Sequence, residues 1–193
     1  DVCLLRKTVR GKLNLEMAAV DEMLQFALEV KPDQATLFPE KREEITTEGG
    51  LDVISQEKKL KPYVTQLREA GIQVSLFIDP HPEQIDCANR LAADFIEINT
   101  ASYSEAETSA ESEQEIEIIQ AGARRATEHG IGAHAGHGLT YLNVNNVATI
   151  PEILELNIGH SIVSRSIFSG MDIAVKEMLK LINDAPEKPK NIF

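Results

Sequence analysis

The sequence predicts an α/β fold of parallel strands covered by helices, and three observations support this prediction. Short apolar runs recur along the 193 residues, separated by polar turns and by longer segments of helical period. Strict alternation of strand and helix is typical of a parallel sheet, which needs cover on both faces. The last two apolar runs stop abruptly at glycine and histidine, in Gly136-His137-Gly138 and Gly159-His160. Such a sheet is either doubly wound or closed into a barrel.

The predicted elements follow from these patterns in chain order. The strand candidates are residues 13–17, 35–38, 73–78, 95–98, 132–136 and 156–158. Helical period is clearest in residues 19–30 and 116–128, where apolar side chains return every three or four positions. Residues 39–50 and 100–114 are predicted to be long polar connections, and a connection such as 39–50 is typical of a functional loop or lid.

The number of strands distinguishes the two architectures. A closed barrel of this kind has eight strands and typically ~250 residues, so we predict a (β/α)8 TIM barrel with about six of the eight βα units present. The chain begins at Asp1 without a methionine, and we expect two further units before it. The two glycine-histidine endings then follow strands seven and eight, where barrels most often bind phosphate. We expect one domain over residues 1–184 and a flexible tail over residues 185–193.

Charge and cysteine content narrow the functional classes. Lys and Arg number 19 against 31 Asp and Glu, and the net charge of -12 opposes extended contact with nucleic acid or an anionic membrane. No stretch of the sequence is long and apolar enough to suggest a membrane span. Cys3 and Cys87 are the only cysteines, which favours a reducing, cytoplasmic compartment.

Two glutamates interrupt apolar strands. Glu16 stands near the end of the first strand, where burial would raise its pKa and suit it to proton transfer; the alternative is an ion pair with a structural Arg or Lys. Glu97 stands among β-formers in the fourth strand, where a solvated strand face is the plainer interpretation. Because a parallel barrel has no solvated strand face, Glu97 would need a partner there, and we consider a cationic group of a ligand.

His137 is the histidine that the pattern favours for chemistry. It lies between two glycines and titrates near neutral pH, so it can donate or accept a proton. His134 is expected to be structural. The spacing of three residues would suit a metal site on a helix, but on a strand the two rings diverge, so no metal is predicted.

Glycines at the strand ends favour an anion site. At Gly138 and Gly159 backbone N–H groups can approach an anion, and His160 can donate to phosphate oxygens, although strand-end glycines also serve ordinary turns. Thr46, in the polar loop, is by pattern alone a turn or capping residue.

Longer segments of the sequence resemble those of a known family. They are residues 13–17 (LNLEM), 39–53 (PEKREEITTEGGLDV), 71–79 (GIQVSLFID), 95–98 (FIEI), 135–141 (AGHGLTY) and 155–160 (ELNIGH). In the same order and spacing, they resemble the pyridoxine 5'-phosphate synthase family, TIM-barrel enzymes of vitamin B6 biosynthesis.

The resemblance implies a condensation without a cofactor. 3-Amino-2-oxopropyl phosphate and 1-deoxy-D-xylulose 5-phosphate give pyridoxine 5'-phosphate, phosphate and water. It implies a general base, a proton donor and a carboxylate that stabilises the transition state, at Glu16, His137 and Glu97. It also implies a contact to the deoxyxylulose phosphate at Thr46, and contacts to the aminoketone phosphate at Gly138, Gly159 and His160. The resemblance also implies a homo-oligomer, which is an octamer in the family, and small phosphorylated substrates.

One departure from the family limits what we expect of the chain. Family members open with two strands carrying an Asn and an Asp-His pair, followed by a His that acts as a second base and by phosphate-binding arginines, and none of these is present in the sequence. We therefore expect the chain by itself to be catalytically weak or inactive. The alternatives are another sugar-phosphate TIM-barrel enzyme, an isomerase or epimerase, and a truncated, non-catalytic phosphate-binding remnant.

Overall fold

The fold is a single parallel sheet whose strands follow one another in chain order. A computed structural model describes residues 1–40 and 49–185. Its strands are β1 (Asn14–Ala18), β2 (Gln34–Phe38), β3 (Gln73–Ile78), β4 (Phe95–Asn99), β5 (Gly132–Gly136) and β6 (Ile153–Asn157). The sheet order is β1-β2-β3-β4-β5-β6, and every pairing is parallel. Because a doubly wound sheet reverses its order at a switch point, this order is that of consecutive units of a TIM barrel.

Helices alternate with the strands. They are α1 (Val2–Thr8), α2 (Asp21–Val30), α3 (Glu57–Glu69), α4 (Pro82–Leu91), α5 (Ala101–Glu105), α6 (Ser109–Glu128), α7 (Val144–Ala148), α8 (His160–Ser169) and α9 (Met171–Asn183). In the described ranges no helix is both long and apolar enough to cross a membrane.

The two faces of the sheet differ in chemistry. Alternate strand residues join the helices in one apolar core, among them Leu15, Leu37, Leu76, Ile96 and Ala133. The intervening positions carry a few phenylalanines and a set of mostly buried polar residues, namely Asn14, Gln34, Thr36, Ser75, Glu97, Asn99 and His134. Since successive strand side chains point to opposite faces, this second set lines the inner face of the barrel wall.

The predicted strands are all present; the bounds of β1, β2 and β4 differ from the prediction by one residue, and β6 differs by more. β6 begins at Ile153, earlier than the predicted residue 156. Its register against β5 shifts between Ala133 and His134, and exposed Leu154 and Glu155 interrupt the apolar pattern there. A register irregularity of this kind hides the start of a strand from a pattern based on alternation.

The prediction of a polar connection over residues 100–114 is wrong. It contains helix α5 and the first turns of α6. The Thr108 side chain accepts from the Glu111 backbone N–H, and the Glu111 carboxylate accepts from that of Thr108. This capping box starts α6 within a segment rich in serine, threonine and glutamate, which had suggested a loop.

The returning end of the 39–50 connection is fastened to the mouth of the barrel. The Gly50 amide donates to Oδ1 of Asp79 over 3.1 Å, and the Leu51 amide donates to the Phe77 carbonyl over 2.7 Å. A Cβ on Gly50 would collide with the backbone of Ile78 and Asp79, so only glycine fits this approach. Thr46 and most of the predicted loop lie outside the described residues, as do residues 186–193 of the predicted tail.

Candidate active site

The candidate groups collect at the carboxyl edge of the sheet. Glu16 lies in β1, Glu97 lies in β4, and His137 follows the last residue of β5. His160 is the first residue of α8, just beyond β6. Because parallel strands all end at the same edge, and barrel enzymes place their active sites there, these residues share one mouth.

Glu97 is the buried carboxylate of the site. Only 2% of the residue is exposed, so a solvated strand face is excluded. Its Oε2 accepts a hydrogen bond of 2.6 Å from Nδ2 of Asn157 on β6. Burial raises the pKa of Glu97 to about 7; the hydrogen bond from Asn157 opposes this rise, and the charge of Glu16 adds to it. The carboxyl therefore takes both protonation states near neutral pH.

Glu16 occupies the rim of the mouth. The residue is exposed, but the surrounding protein partly desolvates its carboxylate, which raises the pKa of Glu16. The nearby His137 opposes this rise. In the described part of the chain Glu16 forms no ion pair with an arginine or lysine. Since Glu16 interacts electrostatically with both His137 and Glu97, the structure brings these three groups together.

His137 is held in an uncommon backbone conformation. Its φ of 81° is left-handed, and the next residue, Gly138, has φ 73°. The buried Thr100 fixes this turn: its hydroxyl donates to the carbonyls of Gly136 and His137, and its amide donates to Gly136. The ring of Phe77 lies 6.0 Å from the imidazole, centroid to centroid. Backbone strain of this kind persists where the surroundings fix it, and it is common at functional sites.

Gly138 fits closely against α5. A Cβ there would collide with Oγ of Ser104 and lie 2.6 Å from its Cβ. The Gly138 carbonyl accepts from Nδ2 of Asn143 over 3.2 Å. Because glycine has no side chain, the backbone of the turn after β5 can approach α5 closely.

The second glycine-histidine ending opens into space. A Cβ on Gly159 would meet nothing within 4 Å, and Gly159 caps α8, which begins at His160. Oγ of Ser161 donates to the Leu139 carbonyl over 2.8 Å and so ties α8 to the turn after β5. A helix N-terminus with bare amides and an adjacent histidine is suited to bind an anion.

His134 lies on the inner face of β5, opposite Glu97 in the sheet register. It is 1% exposed, and its ring stacks on Phe95 with centroids 4.6 Å apart. Its Nε2 is 3.9 Å from Oε2 of Glu155, and burial lowers the pKa of the imidazole. Within the described ranges no three His, Cys, Asp or Glu side chains are grouped to hold a metal ion.

Two residues that shape the site were not singled out from the sequence. Asn157 holds the Glu97 carboxylate, and Thr100 holds the turn that carries His137. Asn157 is the polar residue of an apolar run at the end of a strand, and this pattern could have indicated it as a site residue. Thr100 has no comparable signal, since one threonine after a strand is an ordinary turn residue.

A parallel barrel with two coupled carboxylates, an imidazole and glycine-lined turns at one edge is typical of an acid/base enzyme of the TIM-barrel class. The family model described as "Pyridoxal phosphate biosynthesis protein PdxJ" matches residues 1–184. The chain belongs to this PdxJ family, which places it in vitamin B6 biosynthesis.

Three curated relatives carry the same name. The chain is 51% identical over 183 residues to the pyridoxine 5'-phosphate synthase of Syntrophobacter fumaroxidans, covering 95% of this chain and 77% of the relative. It is 54% identical over 178 residues to that of Synechococcus sp. (strain JA-2-3B'a(2-13)), covering 92% and 74%. It is 54% identical over 182 residues to that of Cyanothece sp. (strain PCC 7425), covering 94% and 76%.

Proposed function

We propose that the chain condenses 3-amino-2-oxopropyl phosphate with 1-deoxy-D-xylulose 5-phosphate to form pyridoxine 5'-phosphate, phosphate and water. The observation that carries the proposal is the placement of Glu16, Glu97 and His137 at one edge of the parallel sheet, where Glu16 is near enough to interact with each of the other two. It occurs in a chain more than half identical to relatives named for the synthase.

The reaction needs groups of this kind. Joining an amine to a ketone and then eliminating water and phosphate moves protons at neighbouring carbons, so a base and an acid must both reach the substrate. We assign the base to Glu16, whose raised pKa strengthens it as a proton acceptor. The acid is His137, and Glu97 stabilises the charge that develops in the transition state. Proton transfers alone achieve this chemistry, so the proposal includes no cofactor and no metal.

The phosphate groups are assigned to the glycine turns. We assign the aminoketone phosphate to Gly138, Gly159 and His160, because the bare amides at the start of α8 and the open space at Gly159 support an anion there. Thr46 is proposed to contact the deoxyxylulose phosphate and lies outside the described residues.

The test is product formation under single-turnover conditions. Both substrates are mixed with excess protein, so that a slow reaction is still detected, and pyridoxine 5'-phosphate is measured by mass spectrometry. We expect product from the unsubstituted chain and a loss of about 100-fold or more in His137→Asn. His81→Asn is the matched control, because His81 is exposed at the start of α4.

Each other outcome identifies a different failure. Bound substrate without product in the unsubstituted chain would favour the phosphate-binding remnant. Product undiminished in His137→Asn would remove His137 from its role. Interconversion of a single sugar phosphate, without condensation, would favour the isomerase or epimerase.

The proposal extends to assembly and compartment. α8 has no buried residue, and Ile167 and Phe168 are 78% and 91% exposed, which supports a homo-oligomer through this face. Cys3 and Cys87 are both free, which supports a reducing cytoplasm. A particle of 21.3 kDa by light scattering would contradict the oligomer.

A further inference from the structure

The Glu97 carboxylate crosses a neighbouring strand to reach its partner. Glu97 lies on β4 and Asn157 on β6, with β5 between them. In the sheet register Gly136 of β5 is opposite Asn157 on one side and Asn99 on the other, and Glu97 lies two residues before Asn99. The side chain therefore slants toward the strand ends and passes over β5 at Gly136.

Gly136 leaves the opening that this crossing needs. A Cβ on Gly136 would collide with Oε1 of Glu97, and it would lie 3.2 Å from both Cβ and the carbonyl oxygen of Asn157. Any other residue would therefore displace the carboxylate or separate β5 from β6. Gly136 is buried and is not among the glycines with positive φ, so its backbone conformation alone does not require glycine. Glycine is required here because the Glu97 side chain lies against it.

Asn157 holds the end of the Glu97 side chain in place. Its Nδ2 donates to Oε2 over 2.6 Å, a short bond typical of an amide facing a charged carboxylate. Oε2 is thereby tied to β6, while Oε1 lies over the residue that immediately precedes His137. One hydrogen bond thus sets where the second oxygen of Glu97 lies relative to the proposed proton donor.

We infer that Asn157 is a positioning residue for the reaction, and that Gly136 is the opening through which it holds the Glu97 carboxylate in place. The inference rests on the proposed function for its catalytic consequence, but the arrangement itself is independent of that function. Asn157 acts through Glu97 and is not assigned any contact with substrate.

The same bond affects the protonation of Glu97. Burial and the Glu16 carboxylate on β1 both favour the neutral form, while Asn157 favours the charged form. The register neighbours of Glu97 are Phe77 on β3, which is apolar, and His134 on β5, whose pKa is lowered by burial. Asn157 is therefore the neighbour that opposes neutralisation, and its removal should raise the pKa of Glu97.

The experiment compares Asn157→Leu with Gly136→Ala. Leucine has nearly the size of asparagine and cannot donate a hydrogen bond, while alanine at 136 retains the donor and fills the opening. The controls are Asn145→Leu, at an exposed position of α7, and Gly11→Ala, where a Cβ meets nothing within 4 Å. The Glu97 carboxyl is titrated by 13C NMR of glutamate-labelled protein and assigned by its loss in Glu97→Gln.

We expect the pKa of Glu97 to rise above about 7 in Asn157→Leu and its carboxyl resonance to move in Gly136→Ala, with no change in either control. In the single-turnover assay both variants should lose about tenfold or more in rate with substrate affinity little changed. Should Gly136→Ala fail to fold, Asn157→Leu alone decides.

An unchanged Glu97 titration in Asn157→Leu would overturn the inference. A shifted titration with an unchanged rate would also overturn the positioning role. Because the titration needs no substrate, failure of the proposed function leaves that part of the inference testable: a protein that forms no product can still show whether Asn157 holds Glu97.

Discussion

Burial gives Glu97 a protonation behaviour that an exposed glutamate does not have. Its pKa of about 7, against 4.5 for an unperturbed glutamate, means that the folded chain retains a proton that the unfolded chain has already lost. Between about pH 5 and pH 7 the native state therefore binds more protons, and the free energy of unfolding falls as the pH rises. Above about pH 7 the carboxyl is charged in both states, and this contribution becomes constant.

Glu97→Gln removes that dependence, because a neutral amide has no proton to lose. Between pH 5 and pH 8 the unfolding free energy of the unsubstituted chain should fall by about 2.5 kcal/mol relative to that of the variant. Urea denaturation at the two pH values measures this fall. Glu29→Gln, exposed near the end of α2, should retain the original dependence. Parallel pH curves for Glu97→Gln and the unsubstituted chain would contradict the raised pKa.

The sequence indicated the charged residues of the candidate site better than the residues that hold them. Glu16 and Glu97 could be predicted because a carboxylate within an apolar strand is costly and needs a reason. His137 was identifiable from the glycines on either side. The contact between Glu97 and Asn157 was not predictable, because a glutamate that reaches over a neighbouring strand depends on the sheet register, and a cationic group of a ligand had been expected beside Glu97. The contact assigned to Thr46 remains a prediction.

At the scale of elements, helix α6 shows how a local motif can outweigh composition. Its first turns lie in a segment of serines, threonines and glutamates, yet the reciprocal bonds of Thr108 and Glu111 satisfy amides at its start. Further along, Arg125 donates two bonds of 2.7 and 2.6 Å to Asp86 on α4, and His129 lies 2.8 Å from the same carboxylate. These bonds hold the pKa of Asp86 at about 2 and join α6 to its neighbour.

Thr108→Ala removes the cap at the start of α6. We expect a loss of about 1 kcal/mol in the free energy of unfolding, because an amide of the first turn loses its partner. Chemical denaturation measures this loss, and Thr108→Ser should recover most of it by restoring the acceptor. Ser109→Ala, one residue into the exposed helix, is the control for removing a hydroxyl. Equal stability of Thr108→Ala and Ser109→Ala would show that the capping box contributes nothing measurable.

Element boundaries were predictable where the period was clean. β3 and β5 have the bounds that their apolar runs predicted. β6 does not, because its register against β5 shifts and exposed Leu154 breaks the pattern. α5 is too short for a periodic pattern, and its polar surroundings resemble those of a loop.

At the scale of the whole molecule, the sequential sheet decides what can meet at the mouth. Alternation of strands and helices predicted parallel pairing, but the sequence pattern left a doubly wound sheet open. The observed order, without reversal, places the ends of β1 and β4 in one barrel wall, where the charges of Glu16 and Glu97 interact although 81 positions separate them in the chain (97 minus 16). The periodicity of the sequence does not predict that Glu16 and Glu97 lie close together. Only the family resemblance implied it.

The central claim is that Glu16 and Glu97 belong to one acid/base site, and the most direct test is a titration of Glu97 by 13C NMR in Glu16→Gln. Since the charge of Glu16 raises the pKa of Glu97, its neutralisation should lower that pKa below about 7. Glu22→Gln, on the exposed side of α2, should leave it unchanged. A Glu97 titration that is the same in Glu16→Gln and in the unsubstituted chain would show that the two carboxylates are independent and would contradict the account.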